Sequence, residues 1–395
     1  MWKVKGSVRY FLSILATVFV QVGVFIYAQK ILSGSFSGAS TGQTWQTFML
    51  QIFFIAPYVL MIWPAGFFTN RFSKNKVLAW SSLFMTLFVI AQAVLVTCGC
   101  PRVAFWLSIG LSSGFAVHSA AKYAIVREMF GVHNLSYANA YIQIFSLIGI
   151  IASSWLAIVG VNLIDLNALV RYEAVGFIIE KSVVIPWILT GVSVLGTVAS
   201  FLIPKVKYKD KNIKFSVARR RLSFGWRHRT LRASIIALSM FWAITQVFTL
   251  VFQDVSGSQV VNTMQNYLAF AVAGLMVGSI IAAHNSKDFI ETGFVPLGMV
   301  GASLTMFLIP FFVHPVALSI LYTAIGIFGG MFLVPVNALL QYNTRPNNSG
   351  WVIALANMIQ ALVLVVFLFI YSSLVRLTSL EPQPISVQIL VALMI

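Results

Sequence analysis

The side chains able to do chemistry in this sequence are one lysine and a scatter of amides set in strongly apolar runs. Lys122 is the only charge well inside such a run; Gln21, Asn139, Gln143, Gln246, Thr249, Asn337, Gln341 and Asn357 stand in others. All 9 acids, Glu128, Asp165, Glu173, Glu180, Asp210, Asp254, Asp288, Glu291 and Glu381, fall in loops or near run ends. Amides and an ammonium can hold a polar or anionic group by hydrogen bonds and charge. Bond-breaking chemistry needs more. The chain has no phosphate-binding glycine loop with its lysine, no Gly-x-Ser-x-Gly elbow and no histidine pair at metal spacing. Four of its five histidines, His133, His228, His284 and His314, lie at or near loops, and His118 is the fifth. Cys98 and Cys100 sit one residue apart in a short loop, where a disulfide is strained and a metal wants more ligands. These residues point to binding, with no catalytic residue, cofactor or metal expected.

A midspan lysine costs about 2.5–3.5 kcal/mol on insertion scales unless it meets water or a partner. Two readings fit Lys122: contact with an anionic ligand, or a structural role in which it snorkels toward Arg127 and the surface. Each amide taken singly reads as glue between helices. Drawn together from several runs, they are the candidate lining of a cavity.

The elements that must position them are membrane helices. Of 395 residues, 59% are hydrophobic and 9% charged; a soluble domain carries roughly a quarter charged residues. Runs long enough to cross a bilayer, about 20 residues each, occupy 11–32, 45–68, 77–97, 103–126, 137–163, 183–203, 233–252, 264–283, 294–313, 316–341 and 351–375. A further run begins near Ile385 and stops at Ile395, which reads as a twelfth span cut short. Lys3, Lys5 and Arg9 precede a first run too long for a signal peptide and without a small-residue cleavage site, so it reads as a retained span.

The net charge of +17 is distributed as a topology signal. With the amino terminus cytoplasmic, that side holds Lys3, Lys5, Arg9, Arg71, Lys74, Lys76, Arg127, Lys287, Arg345 and the basic stretch 205–232. The other side holds only Lys30, Arg102, Arg171, Lys181 and Arg376. This is the positive-inside asymmetry, with contact to anionic lipid as a second effect and no nucleic-acid partner required. The stretch 205–232 reads as a cytoplasmic linker between an amino-terminal six-helix bundle, 1–204, and a carboxy-terminal bundle, 233–395. Phe215, Val217, Leu222, Phe224 and Trp226 among its basic residues also fit a helix lying on the membrane surface.

The two halves repeat. "GLSSGFAVHSAAKYAIVREMF", from Gly110, and "GIFGGMFLVPVNALLQYNTR", from Gly326, each set two glycines four apart and then turn polar; "YANAYIQ" ending at Gln143 answers "ALANMIQ" ending at Gln360. Parallel six-span repeats about a midplane site are the arrangement of the major facilitator fold. In the tenth span, Pro335 frees backbone carbonyls and Asn337 either faces the resulting wet cavity or bonds to a helix.

The loop "GFFTNRFSKNKV", from Gly66, resembles the major facilitator signature between the second and third spans, with Gly66, Arg71, Lys74 and Lys76 in place. Asn70 stands where the family has an acid that helps latch the cytoplasmic side. The strings "HSAAKYAIVREMFG", "YANA", "SMFWAITQVFTLVF" and above all "GGMFLVPVNALLQ" resemble the bacterial lysophospholipid transporter family, a branch of the major facilitators. That resemblance implies movement of lysophosphatidylethanolamine-class lipids across the bacterial inner membrane, and a downstream or fused acyltransferase partner. It also implies a role for Lys122, which matches the family's Ala-Lys-Tyr. Gln21 and Gln143 stand where the family has acids, and Thr249 where it has an arginine. With no carboxylate left in a span, ion coupling loses its usual site. A multidrug-type exporter and a non-transporting membrane anchor for an acyltransferase are the rival expectations.

Overall fold

The computed structural model describes residues 6–35, 51–163, 172–174, 177–179, 181–206, 223, 225–255, 257–286, 289–312 and 314–378. The helices are α1 (Ser7–Ser35), α2 (Gln51–Leu60), α3 (Ile62–Arg71), α4 (Lys74–Thr97), α5 (Pro101–Trp106), α6 (Ser108–Ala124), α7 (Val126–Phe130), α8 (Leu135–Leu163) and α9 (Lys181–Phe201). They continue as α10 (Arg229–Val255), α11 (Gly257–Asn285), α12 (Phe294–Leu308), α13 (Pro315–Tyr342) and α14 (Ser349–Thr378). In lipid a helix satisfies its own backbone, which is why apolar runs of this length fold this way. Among the described residues nine helices are long and apolar enough to span, or ten if the bent pair α2 and α3 is one span, and α12 is a shorter apolar helix. Among the described residues the strands form one small hairpin, β1 (Tyr172–Ala174) against β2 (Phe177–Ile179), between α8 and α9. The linker from 207 to 222, with Phe224, and the run after Thr378 lie outside the described residues, as do Lys3, Lys5, Lys287 and Asp288.

The second expected span is bent by 52° at Met61. Pro64 explains the bend: it cannot donate to the Leu60 carbonyl, and its ring crowds that carbonyl. The kink sets α3 against α14 of the other half.

Within the first half, hydroxyls join helices. Ser13 of α1 and Ser82 of α4 both reach Ser200 of α9, at 2.5 and 3.0 Å. Thr86 of α4 meets Ser193 and Thr197 of α9 at 2.7 and 2.8 Å. Such bonds contribute on the order of 0.6 kcal/mol each in a membrane. The second half relies on glycines, which the first half uses at Gly149 of α8, where a Cβ would stand 2.8 Å from the Leu15 carbonyl of α1. Gly274 and Gly278 of α11 and Gly326 and Gly330 of α13 lie so close that a Cβ on any of them would collide with the facing backbone: carbonyls of Thr323, Ile327, Ala271 and Leu275. Gly110 and Gly114, the counterparts in the first half, face side chains of α4, Phe88 and Met85. One sequence spacing therefore serves two contacts, because each half presents a different neighbour to the same face.

The halves meet along α3 and α6 against α14, and along α8 against α11 and α13. Ala140 of α8, Ala282 and Ala283 of α11 and Val334 of α13 form a small apolar core on the second of these seams. The end of the bundle carrying Arg71, Lys74 and Arg127 is called the basic end below.

Candidate functional site

Three groups of polar side chains lie where the halves meet or where helices face the interior. The first is a patch on the amino-terminal half. Gln21 of α1 donates from Nε2 to the Tyr58 hydroxyl of α2 at 3.3 Å, and the Tyr58 phenol lies near that of Tyr123 on α6. The Lys122 ammonium lies over the Tyr123 ring, 4.7 Å from its centroid, in the range of a cation–π contact. Tyr10 of α1 donates to the Lys122 carbonyl at 2.6 Å and ties the backbone there. Lys122 is half-buried. It stands about 12 Å along the span from Phe130 at 1.5 Å per residue, and among the described residues no carboxylate pairs with it.

The second group bridges the halves. Asn139 of α8 and Gln341 of α13 exchange two hydrogen bonds, each 2.9 Å, while both are buried. Asn139 also donates to the Leu135 carbonyl at 2.8 Å. Asn357 of α14 donates to the Ser119 hydroxyl of α6 at 3.1 Å. Three amides expected along a cavity or between helices are thus joined across the two seams, Asn139 to Gln341 and Asn357 to Ser119, a partner the sequence did not single out. Asn337 turns back on its own helix, donating to the Leu333 carbonyl at 3.0 Å two residues beyond Pro335. Gln143 is buried one turn along from Asn139, and Gln246 is half-buried on α10. Thr249 lies on α10 with its side chain outside the described set.

The third group closes the basic end. Lys74 is 1% exposed and pairs with Glu128 of α7, while its Nζ donates to the Pro346 carbonyl at 3.4 Å. Arg127 donates to the carbonyls of Tyr342, at 3.0 Å, and Thr344. These are the free carbonyls at the carboxy-terminal end of α13, where the helix dipole favours a cation. Asn70 accepts the Gly350 N–H at 3.3 Å, at the amino-terminal end of α14, and donates to the Gly66 carbonyl at 2.9 Å. A Cβ on Gly66 would run into the Trp351 ring, and one on Gly350 would stand 2.7 Å from Asn70 Nδ2. Arg71 and Lys76 are exposed, Arg71 resting over the Phe67 ring at 5.5 Å. In this lock one half supplies side-chain charge and the other supplies helix ends.

A family model described as Major Facilitator Superfamily matches residues 10–368. The chain belongs to the major facilitator superfamily. Among curated relatives, the lysophospholipid transporter LplT of Photorhabdus laumondii is 27% identical over 84% of this chain and 80% of its own length. That of Cronobacter sakazakii is 28% identical over 85% and 81%. The solved human organic anion transporter MFSD10 superposes with a TM-score of 0.72 at 12% identity, covering 98% of both chains. The Escherichia coli fucose:proton symporter FucP does so at 0.68 and 13%, covering 97% of this chain and 96% of its own. The two structures establish a likeness of fold alone.

As a major facilitator the chain is legible through its loop signature, yet two features of the site were not visible in it. Glu128 was read as a loop acid, and only the turn from α6 into α7 brings it beside Lys74. Trp351 reads as an ordinary apolar residue until Gly66 is found beneath its ring. For Tyr58, an available signal was a tyrosine beside Pro57 in a run that also carries Pro64.

Proposed function

We propose that this chain carries lysophospholipids across the bacterial inner membrane, its amino terminus on the cytoplasmic side. The support is a likeness to lysophospholipid transporters that extends over four-fifths or more of both chains; the resemblance noted in the sequence adds the Ala121-Lys122-Tyr123 string at the interior patch. In this reading Lys122 takes the substrate phosphate, Gln21 and Tyr58 the polar glycerol, and Gln143, Gln246 and Thr249 the facing wall, while the acyl chain stays toward lipid. The halves, 1–204 and 233–395 joined by the linker 205–232, rock about the patch. The Asn139–Gln341 and Asn357–Ser119 pairs and the lock at the basic end break when the cytoplasmic side opens. Nothing covalent happens to the substrate. An acyltransferase acting on the delivered lipid, downstream or fused, is the proposed partner.

The test is purified protein in liposomes, with a fluorescent lysophosphatidylethanolamine in the outer leaflet and albumin added to extract what has not crossed. Protection that grows with protein-to-lipid ratio is expected. No protection from folded protein, together with protein-dependent efflux of cationic dyes, would move the chain to the multidrug-exporter reading.

A further inference from the structure

Two unsatisfied groups share one face of α6. Lys122 has no carboxylate partner among the described residues. His118, one helical turn earlier, is 2% exposed, and its Nε2 has no hydrogen-bond partner. Residues at i and i+4 on a helix emerge side by side, and the lysine is close enough to act on the imidazole electrostatically. The other ionisable groups tied to this region are phenols: Tyr123 on α6, Tyr10 on α1 and Tyr58 on α2. The sequence places no Asp or Glu within α1, α2, α3, α4, α6 or α8, so none of these helices can offer an acid here.

A buried imidazole nitrogen without a partner leaves its desolvation uncompensated. An anionic oxygen bridging Nε2–H and the ammonium satisfies both groups at once, with charge-assisted bonds. The amine of an ethanolamine or choline headgroup finds the opposite situation. It meets no carboxylate, and a lysine held at the phosphate repels it. A glycerol headgroup is uncharged and can bond to the amides.

We infer that His118 and Lys122 together hold the phosphate of the substrate, so that the site selects lysophospholipids by net negative charge, taking lysophosphatidylglycerol ahead of zwitterionic headgroups. This rests on the lysophospholipid reading above and adds a phosphate ligand and a headgroup preference to it. His118 adds a contact to the phosphate that every lysophospholipid shares, while Lys122, which also repels a headgroup amine with no carboxylate to offset it, carries the preference.

The experiment is competition on purified full-length protein in neutral detergent. Labelled lysophosphatidylglycerol is displaced by unlabelled lysophosphatidylglycerol, lysophosphatidylethanolamine or lysophosphatidylcholine of one acyl length. Wild type should be displaced by the glycerol lipid at about tenfold lower concentration than by either zwitterion, the size of one charge–charge contact in a partly wet site. His118→Phe should weaken binding of all three lipids about tenfold, the loss of one hydrogen bond to a charged group. His118→Gln, which keeps a donor, should lose less, and Lys122→Gln should shrink the ratio to about twofold or less. Equal displacement by all three lipids in wild type would overturn the inference, as would an unchanged affinity in a His118→Phe protein that melts normally. If His118→Phe does not fold, the wild-type ratio decides alone. Failure of every lysolipid to bind would instead sink the transport reading on which this one stands.

Discussion

The two halves of this transporter share a fold and a glycine spacing but divide the labour unequally. The amino-terminal half holds its helices with hydroxyl bonds and carries the interior patch, the buried Lys74–Glu128 pair and Arg127. The carboxy-terminal half is a scaffold of backbone crossings at Gly274, Gly278, Gly326 and Gly330, and it presents helix ends. Hydroxyl bonds between helices tolerate sliding, because each is worth a fraction of a kcal/mol and finds substitutes. Glycine crossings do not. The first half has a crossing of its own at Gly149 against the Leu15 carbonyl, so the halves differ in how far they rely on such contacts.

The sharpest way to break this comparison is to place the same side chain on matched glycines. Gly278→Val drives a branched side chain into the Ile327 backbone, and should cost more than about 4 kcal/mol, enough to abolish folded protein. Gly114→Val meets the Met85 side chain and should cost about 1–3 kcal/mol, since a side chain can move where a backbone cannot. Thermal melting of the two purified proteins decides; equal losses would erase the distinction between halves.

Next in size is the lock. Glu128→Gln removes the carboxylate from beside a lysine that is 1% exposed, and breaking a buried pair from one side costs about 3–5 kcal/mol. The closed basic end should become the minor state. Ser349→Cys, placed in the closed seam, in a Cys98→Ser, Cys100→Ser background, should then react with a soluble alkylating reagent at least tenfold faster, a conservative reading of that energy. An unchanged rate would show that the pair stabilises the amino-terminal half alone.

Smaller effects test the seam. Asn139→Ala and Gln341→Ala should each destabilise, and their double-mutant cycle should return a coupling of about 0.6–1.7 kcal/mol, the range for polar contacts in membranes. Zero coupling would mean that the amides serve their own helices. Smallest of all, Asn70→Asp places an acid at the amino-terminal end of α14, where Asn70 accepts the Gly350 N–H. It should stabilise the closed end by about 0.3–1 kcal/mol, seen as slower alkylation at Ser349→Cys.

Much of the architecture was legible because lipid makes every span satisfy its own backbone, so hydropathy alone located the helices from α1 to α6 and from α8 to α14, while the short α7 falls in what reads as loop. Pro64 marked the bend, though its effect on α2 and α3 needed the geometry. The site was legible by residue type and not by partner. The sequence grouped Asn139, Gln341, Asn357 and Asn337 as one set of amides, whereas three of them bond across the seams and Asn337 bonds to its own helix. Which face of a helix an amide takes depends on crossing angle and register between halves, and no local pattern encodes those. Lys122 was visible as an expense in lipid, and His118 and Tyr123 are its neighbours on α6 by helical spacing alone; Tyr10 beside it emerges only when α1 packs on α6.

The most direct test of the account is uptake of labelled lysophosphatidylethanolamine by bacterial spheroplasts lacking their own transporter, supplied with the wild-type chain, Lys122→Gln or Asn337→Ala. A cytoplasmic acyltransferase traps what arrives. The account predicts uptake by wild type, a loss of about tenfold or more in Lys122→Gln at equal expression, and a change within about twofold in Asn337→Ala, whose amide serves only its own helix turn. Equal uptake by wild type and Lys122→Gln, or none from a well-expressed wild-type chain, would contradict it.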